Sequence, residues 1–407
     1  MTQLVRCNNY LPAFVASCMF LTGCAPEAYR DVRPAHWAWW GADTEIVDSV
    51  IEQVRERASD GEYWDTATPY GPGSWTFEFL QMAIQTKISA EILESERDLS
   101  GASRRYHEAS VYYGLAKYPH IERSEAENVS LQGQLLSYRK SFELLGYGYE
   151  LIETDLDGEK VTGLLHLPRS NFQPPFPVVI GTNGLDVFAA ESGPLVTDLL
   201  NQGIAVLMSD IPGTGFNSGI PLTPDFHRLW LTFLIELQAN PLVNTTNAGA
   251  FGMSFGGNAV VKLAMTAPES FRAIANICGP VHEVFTLSED EVSAIDAMYL
   301  DGLADRMHLP DKRPSTVVAA ARGFSLVNQG LIGQGQSTKV PVLSMNARGD
   351  YVAPEPDLEL VTQASEGGRI VWSGSGDHCP QDRKRDMPLV AEFFVSHLLN
   401  TTYGTNK

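Results

Sequence analysis

The residues with the clearest chemical potential lie at positions 252–256, which read Gly-Met-Ser-Phe-Gly. A short apolar run ending at Phe251 predicts a strand before Ser254, and residues 258–265 predict a helix that ends before Pro268. A serine on a sharp turn between strand and helix presents its hydroxyl to a substrate, and flanking glycines keep side chains out of the way. The pattern predicts a nucleophilic serine; the alternative is a glycine-rich turn whose serine has no chemical role.

Two further residues follow Ser254 in the order serine, acid, histidine that some acyl-transfer enzymes use. The apolar run 340–345 predicts a buried strand, and Asp350 lies in the polar turn after it. The run 368–372 predicts another strand, and His378 lies in the glycine-containing loop that follows. A histidine can take the serine proton, and an aspartate can hold the histidine tautomer and stabilise its charged form. The sequence therefore predicts a catalytic triad on an α/β-hydrolase fold.

Other acids and histidines fit these roles less well. Asp377 adjoins His378, from where its carboxylate does not easily reach the ring Nδ1 atom. Asp357 follows two prolines and is expected to open a helix. Of the nine histidines, His166 and His397 fit packing positions in a strand and in a helix.

Two backbone N–H groups are candidates for an oxyanion hole. One belongs to Phe255, which follows the serine, and the other belongs to Leu185, in the loop after the predicted strand 177–181. Gly184 would keep this loop close to the substrate carbonyl. One such donor is worth about 3 kcal/mol of transition-state stabilisation. No cofactor and no metal site are predicted.

The elements that must position these residues form a mostly parallel, eight-stranded sheet with helices on both faces. A hairpin with an Asp-Gly turn, formed by 149–154 and 160–167, opens the sheet. The runs 204–209 and 273–278 predict two more buried strands. The loop 210–218 carries glycines but lacks the lysine pattern of a phosphate loop, so we interpret it as structural.

Helical patterns precede and interrupt this sheet. Before it, helices are predicted at 44–57, 74–93, 101–116 and 125–145. This part contains five tryptophans for which core packing is the favoured interpretation and carbohydrate binding the alternative: Trp37, Trp39, Trp40, Trp64 and Trp75.

Between the predicted strands 273–278 and 340–345, a helical insertion at about 283–335 is expected to contribute to the substrate pocket. A capping box at Ser288 predicts a helix that continues through Asp301, and 315–326 predicts a second helix. After the last strand, Met387–Leu399 is predicted as the closing helix, with Pro388 in its first turn.

The first 23 residues fit a bacterial lipoprotein signal. A positive charge at Arg6 precedes the apolar run 11–21, which is short for a membrane span, and Leu-Thr-Gly-Cys at 21–24 resembles a lipobox. Cys24 would then be acylated, and Ala25 after it favours the outer membrane. The predicted organisation is a signal at 1–23, a helical domain at 24–145 and a catalytic domain at 146–402, anchored in the cell envelope and facing the periplasm. The alternative is a misassigned start or a disordered apolar tail.

The remaining cysteines and the charge limit the classes of partner. Cys7 and Cys18 would leave with the signal, and we expect Cys278 and Cys379 to be free because they end different strands. A net charge of −20 argues against nucleic acid and polyanionic partners. The expected partner is a small molecule, together with a membrane through Cys24.

Several motifs resemble those of the fermentation–respiration switch protein (FrsA-like) family of α/β-hydrolases: Ala116-Lys117-Tyr118-Pro119-His120, Gly184-Leu185-Asp186, Gly252 to Ala259 and Gly279 to Phe285. The resemblance extends over nearly everything after Pro34 and implies hydrolysis of a carboxylic ester or of a carbon–carbon bond next to a ketone. It also implies an auxiliary role for Asp186, for which capping of the next helix is the alternative. The favoured function is a serine carboxylesterase for small or medium acyl esters, and a regulatory binding protein on the same fold is the contrasting reading.

Overall fold

The computed structural model describes residues 28–57, 63–66, 70–118, 125–293, 295 and 297–399. Within these residues, eight strands form one sheet: β1 (Gly148–Leu156), β2 (Glu159–Leu167), β3 (Phe176–Thr182), β4 (Ala205–Ser209), β5 (Val243–Met253), β6 (Ala273–Ile277), β7 (Val342–Arg348) and β8 (Arg369–Ser375). The α-helices of the same residues are α1 (Pro34–Trp40), α2 (Thr44–Arg57), α3 (Trp75–Ser95), α4 (Leu99–Lys117), α5 (Glu125–Glu143), α6 (Gly193–Leu200), α7 (Arg228–Glu236), α8 (Phe255–Thr266), α9 (Glu289–Val292), α10 (Ala297–Arg306), α11 (Pro314–Ala321), α12 (Glu355–Gln363) and α13 (Arg383–Leu398).

The strands lie in the order β1-β2-β4-β3-β5-β6-β7-β8. The first hairpin, β1 with β2, is antiparallel, and β2 is also antiparallel to β4, whereas every later pair is parallel. Parallel strands need crossover connections, so helices lie between them and cover the sheet. This arrangement confirms the predicted α/β-hydrolase fold.

Both faces of the sheet are buried, which explains the continuous apolar runs of its central strands. Successive residues of β3 point to opposite faces: Val178 and Ile180 belong to one core cluster, and Val179 belongs to the other. On the first face, α7 and α8 contribute Trp230 and Val260; α6 and α13 cover the second face. The sheet is therefore a rigid base for the loops at its carboxyl edge.

The helices before the sheet share a core of their own. Trp37, Trp64 and Trp75 are almost completely buried there, and Trp40 is 7% exposed. The rings of Trp37 and Trp75 meet edge to face with centroids 5.9 Å apart. Packing is thus the role of these tryptophans, as the sequence predicts, and α1 also packs against α6 and α13 of the sheet region.

The segment between β6 and β7 differs in part from its prediction. The capping box is present. The Ser288 hydroxyl accepts a hydrogen bond from the Glu291 backbone N–H, and the Glu291 carboxylate accepts one from the Ser288 backbone N–H. The helix it starts does not continue through Asp301, because α9 ends at Val292 and α10 begins at Ala297. A capping box satisfies the first turn only and does not determine the helix length.

The closing helix also begins earlier than predicted. The Asp382 side chain caps α13 by accepting from the Arg385 backbone N–H, so Pro388 lies in the second turn and not in the first. The helix is therefore about one turn longer at its start than predicted, and its first residue is the buried Arg383.

The prediction that Cys278 and Cys379 are free is wrong, because they form a disulfide with Cα atoms 4.9 Å apart. Cys278 follows β6, and Cys379 lies in the loop after β8, two strands away. That loop folds back across the end of β7 to bring His378 over Ser254, and this path places Cys379 against Cys278. The ends of two separate strands are therefore joined by a loop crossing between them.

Within the described residues, no helix combines the length and the apolar character that crossing a bilayer requires. The predicted signal at 1–23 and the lipidation site Cys24 lie outside the described residues.

Candidate active site

Ser254 occupies the sharp turn between β5 and α8 that the sequence predicts. Its backbone has φ 52° and ψ −131°, a conformation that residues with side chains seldom adopt. The turn leaves no room for side chains beside it. A Cβ on Gly252 would lie 2.1 Å from the Gly256 carbonyl oxygen, and one on Gly256 would lie 2.5 Å from the Asn183 oxygen. Both glycines are therefore sterically required.

The structure brings Ser254, His378 and Asp350 together from three separate loops. Ser254 Oγ lies 2.8 Å from His378 Nε2, and His378 Nδ1 lies 2.7 Å from Asp350 Oδ2. His378 is 3% exposed and Asp350 is 1% exposed. This hydrogen-bonded series matches the distances at which a base can accept a hydroxyl proton while an acid orients the base.

Asp350 is held as a carboxylate by its surroundings. Burial pushes its pKa upward, but the His378 ring and the backbone N–H groups of Cys379 and Ala353 outweigh this effect, so the pKa lies below its ordinary value. Its Oδ1 atom accepts from the N–H groups of Val352 and Ala353, while Oδ2 accepts from Cys379 as well as from His378. The loop after β7 therefore fixes the acid before any substrate binds.

The loop after β3 lies directly against the nucleophile. A Cβ on Gly184 would come within 2.7 Å of the Ser254 Cβ and within 2.8 Å of its Oγ. The carbonyl of Leu185 accepts a hydrogen bond of 3.0 Å from the Arg306 Nε of α10, which fastens this loop. The two predicted oxyanion donors thus belong to segments that meet at Ser254.

Phe255 is the first residue of α8, so its backbone N–H has no carbonyl within the helix to which it could donate. Its side chain anchors this helix end in an aromatic cluster, with centroid distances of 5.6 Å to Phe226, 5.7 Å to Phe285 and 5.0 Å to Phe324. A helix N-terminus that is fixed in this way stabilises a developing negative charge.

A largely apolar cavity opens onto these groups. Ser254, Phe255, Leu185 and His378 line one part of it. The segment between β6 and β7 lines much of the rest with apolar side chains: Val284, Phe285, Leu287, Val292, Ile295, Met298, Leu300, Leu303, Val317, Val318 and Ala321. The predicted insertion thus contributes to the pocket.

Asp186 also lines this cavity, but within the described residues it caps no helix, since Phe188 and Ser192 precede the next two helical segments. The next α-helix, α6, begins at Gly193, so the predicted capping alternative is wrong. The Asp186 carboxylate instead pairs with the Arg30 guanidinium, which comes from the chain before α1. Burial acts to raise the pKa of Asp186, but Arg30 and Arg33 outweigh it and hold the pKa below its ordinary value.

Several polar residues that surround this site carry no signal in the sequence. Arg33 and Arg383 line the cavity, as does Tyr299, whose ring centroid lies 6.4 Å from that of His378. No motif marks the two arginines, since one precedes α1 and the other opens α13. Only the approach of these distant segments reveals them.

A metal cluster is also conceivable on residue types alone, because the ligand atoms of Cys278, His378 and Cys379 lie within 4.8 Å of one another. The two sulfur atoms are bonded to each other and so do not offer the thiolates that zinc would need. The His378 nitrogens already face Ser254 and Asp350.

Sequence comparisons place the chain in a family of esterases. Residues 6–377 match the family described as Esterase FrsA-like. Esterase FrsA of Vibrio cholerae is 32% identical over 349 residues, which are 84% of this chain and 81% of the relative. Esterase FrsA of Escherichia fergusonii is 33% identical over 359 residues, or 85% of this chain and 83% of the relative.

Solved structures share the fold at lower sequence identity. The 2,6-dihydroxy-pseudo-oxynicotine hydrolase superposes with a TM-score of 0.72 at 17% identity, covering 90% of this chain and 96% of that one. AbyA5 superposes with a TM-score of 0.66 at 22% identity, covering 87% of this chain and 89% of that one. These likenesses support the fold as a whole, including the helices before the sheet.

Proposed function

Because this chain belongs to the FrsA-like esterase family and is a hydrolase, we propose that it is a serine carboxylesterase for small or medium acyl esters. The observation that carries the proposal is the hydrogen-bonded series from Ser254 through His378 to Asp350 beside an apolar cavity. A protein that only binds its ligand does not require a serine in a strained backbone conformation whose Oγ lies 2.8 Å from the Nε2 of a buried histidine.

In the acylation step, His378 Nε2 takes the proton of Ser254 as Oγ attacks the ester carbonyl carbon. The resulting oxyanion accepts hydrogen bonds from the backbone N–H groups of Phe255 and Leu185. Asp350 stabilises the imidazolium that forms, because its carboxylate is ionised and aligned with Nδ1. The imidazolium then protonates the alkoxide oxygen as its bond to the carbonyl carbon breaks. The alcohol departs, and the acyl group remains on Ser254.

In the second step, water attacks the acyl-serine while His378 accepts one of its protons. Collapse of this second tetrahedral intermediate returns the proton to Ser254 and releases a carboxylic acid. The net reaction consumes one ester and one water and forms one acid and one alcohol. The cavity walls from the segment between β6 and β7 would hold the acyl chain, since they are predominantly aliphatic and aromatic.

The test compares hydrolysis of 4-nitrophenyl esters, from acetate to decanoate, by the full chain and by Ser254→Ala. We expect kcat to fall by about 10⁴-fold or more, because nucleophile removal in a triad costs at least that much. Ser89→Ala is the matched control, since Ser89 is exposed on α3 far along the chain from the site. A Ser254→Ala protein that kept a tenth of the wild-type rate would refute the proposal.

If the folded protein hydrolyses none of these esters, the same serine would instead serve carbon–carbon hydrolysis of an acyl ketone. That outcome would be tested by release of a carboxylic acid from 1,3-diketones by the wild type and by Ser254→Ala. Turnover in the wild type alone would favour the carbon–carbon reaction. A lack of turnover on both substrate classes would favour the regulatory binding role.

We further propose that acylation of Cys24 anchors the enzyme in the bacterial cell envelope, facing the periplasm. The supporting features are the short apolar run and the Leu-Thr-Gly-Cys sequence at 21–24. The disulfide between Cys278 and Cys379 is compatible with such an oxidising compartment.

A further inference from the structure

The wall of the catalytic cavity carries two arginines that the hydrolytic steps do not use. Arg33 immediately precedes α1, and Arg383 is the first residue of α13. Arg383 is 5% exposed, and its Nε and Nη1 atoms are buried with no hydrogen-bond partner among the residues that the structure describes. Within the described residues it also forms no ion pair. A buried cation without a hydrogen-bonded counter-charge is costly, which indicates that its partner is a ligand.

The neighbouring acids offset the charges of Arg33 and Arg383 only in part, and they do so without forming an ion pair to Arg383 within the described residues. Among the described residues, Asp186 is the acidic one that lines the cavity, and its carboxylate is already paired with Arg30. Asp186 also attracts Arg33 through its charge, and the ion pair that Arg33 forms with Asp31 is long, at 4.0 Å. Arg383 contacts the face of Trp39, with Cζ 5.5 Å from the ring centroid, which stabilises a cation without neutralising it.

Both guanidinium groups remain charged. Burial lowers the pKa of Arg33, but Tyr118, Tyr299 and Asp186 outweigh it and hold this pKa well above its ordinary value. Burial, and then the charge of Arg33, lower the pKa of Arg383 to about 9, which still leaves it protonated at neutral pH. Burial, and then Arg383 and Arg33, hold the pKa of the nearby His36 far below its ordinary value, so this imidazole is neutral. The cavity therefore has a positive end and apolar walls.

We propose that the physiological ester carries a carboxylate in addition to its scissile bond, and that Arg383, together with Arg33, binds this carboxylate inside the cavity. A planar guanidinium with free N–H groups matches a carboxylate in shape, charge and hydrogen-bonding capacity. The apolar walls would hold the carbon chain between the carboxylate and the ester. The inference rests on the proposed esterase function and specifies its substrate class.

The first experiment uses 4-nitrophenyl esters whose acyl chains of equal length end in a carboxylate, a carboxamide or a methyl group. A parallel series uses acetate esters of ω-hydroxy acids and ω-hydroxy amides, and their hydrolysis is measured by the release of acid. The first series places the carboxylate on the acyl side of the ester, and the second places it on the alcohol side. At the best chain length of one series, kcat/KM is expected to be at least about tenfold higher for the carboxylate than for its carboxamide twin, the size of effect that a buried charged hydrogen bond supplies.

The variants assign this preference to one side chain. Arg383→Met is expected to reduce the carboxylate-to-carboxamide ratio to below about twofold, while Arg383→Lys retains part of it because the charge remains. Lys384→Met is the matched control, since it removes one positive charge from the adjacent, exposed position of the same helix. Thermal unfolding of each variant verifies folding. An equal ratio in the wild type and Arg383→Met, or no carboxylate preference in either series, would overturn the inference.

A binding measurement separates this inference from the proposed reaction. By calorimetry, hexanoate is expected to bind the wild type at least about tenfold more tightly than it binds Arg383→Met, whereas hexanamide shows no such difference. Carboxylate binding that depends on Arg383 without any ester turnover would contradict the esterase proposal alone. Ester turnover with carboxylate binding that is insensitive to Arg383 would contradict the carboxylate site alone.

Discussion

At the scale of single residues, the site depends on a serine whose backbone is held in an unfavourable conformation. Such a conformation costs about 1–3 kcal/mol and persists only where its surroundings impose it. Here the Ser254 N–H donates to the Ile277 carbonyl at 2.8 Å, and Gly252 and Gly256 remove the side chains that would prevent the turn. The contacts of the surrounding sheet and helix offset the cost of this conformation, so the Ser254 hydroxyl is positioned before substrate binds.

Gly184 provides a residue-scale test of the proposed oxyanion hole. An added methyl group in Gly184→Ala would lie under 3.0 Å from Ser254, so the loop that carries Leu185 must retreat. We expect kcat/KM on 4-nitrophenyl esters to fall by about 10²-fold, since a misplaced donor costs this much.

Gly219→Ala is the control for this change, because a Cβ there would meet no atom of the described part of the chain within 4 Å. It should keep the wild-type rate. Activity of Gly184→Ala within twofold of the wild type would show that the loop does not approach the reacting carbonyl.

At the scale of elements, the site loops are fastened to each other and not only to the sheet. The Asp357 carboxylate of α12 accepts from the backbone N–H groups of Val281, His282 and Glu283, at distances between 2.7 and 3.1 Å. The segment that leads from β6 into the cavity wall is therefore held by the helix that follows β7. The predicted helix is present, but it begins at Glu355, so Asp357 lies within its first turn and does not open it. The bonds of Asp357 to the segment after β6 depend on the three-dimensional fold.

The disulfide between Cys278 and Cys379 joins two further site loops, and its removal should affect both stability and rate. It closes a span of 101 residues, and loss of such a cross-link costs about 2–5 kcal/mol. Because the Cys379 N–H donates to Asp350, the double variant Cys278→Ala/Cys379→Ala should also loosen the His378 loop. We expect a lower denaturation midpoint and a severalfold lower kcat.

Dithiothreitol separates the effect of the bond from that of the side chains. Reduction should lower the stability of the wild type toward that of the double variant and leave the variant unchanged. If reduction affected neither protein, the two cysteines would not be bonded in solution.

At the scale of the whole molecule, charge is distributed unevenly between surface and cavity. The chain has a net charge of −20, yet Arg30, Arg33, Arg306 and Arg383 all lie around the cavity or the loop of Asp186. An acidic exterior favours solubility, whereas the local positive charge selects what the interior binds. The overall charge therefore argues against polyanions without arguing against a small carboxylate.

The proposed membrane anchor is also a property of the whole molecule. In a bacterial host, most of the full chain should sediment with membranes, because several acyl chains hold a protein firmly. Cys24→Ser should leave less than about a tenth of the protein in that fraction, since the lipid attachment is lost. The measurement is immunoblotting of membrane and soluble fractions.

Cys18→Ser is the control, as it changes a cysteine in the segment predicted to be removed. It should remain with the membranes. Cys24→Ser protein that stayed membrane-bound to the wild-type extent would refute the anchor.

The sequence by itself determined the fold class and the three residues of the hydrogen-bonded series. The reason is that their signals are local: Ser254, Asp350 and His378 each follow an apolar strand within a few residues, and their order along the chain is characteristic. The glycines at 252 and 256 carry the same kind of local information, because a sharp turn excludes side chains wherever it occurs.

Only the tertiary structure decided which distant residues surround that series. The disulfide spans 101 residues, and Arg30 pairs with Asp186 from 156 positions away. Arg383, at the start of α13, likewise lies beside the cavity together with Arg33 because α1 packs against that helix. Periodicity and spacing describe neighbours along the chain, whereas these contacts depend on the path of whole loops and on the docking of the N-terminal helices onto the sheet.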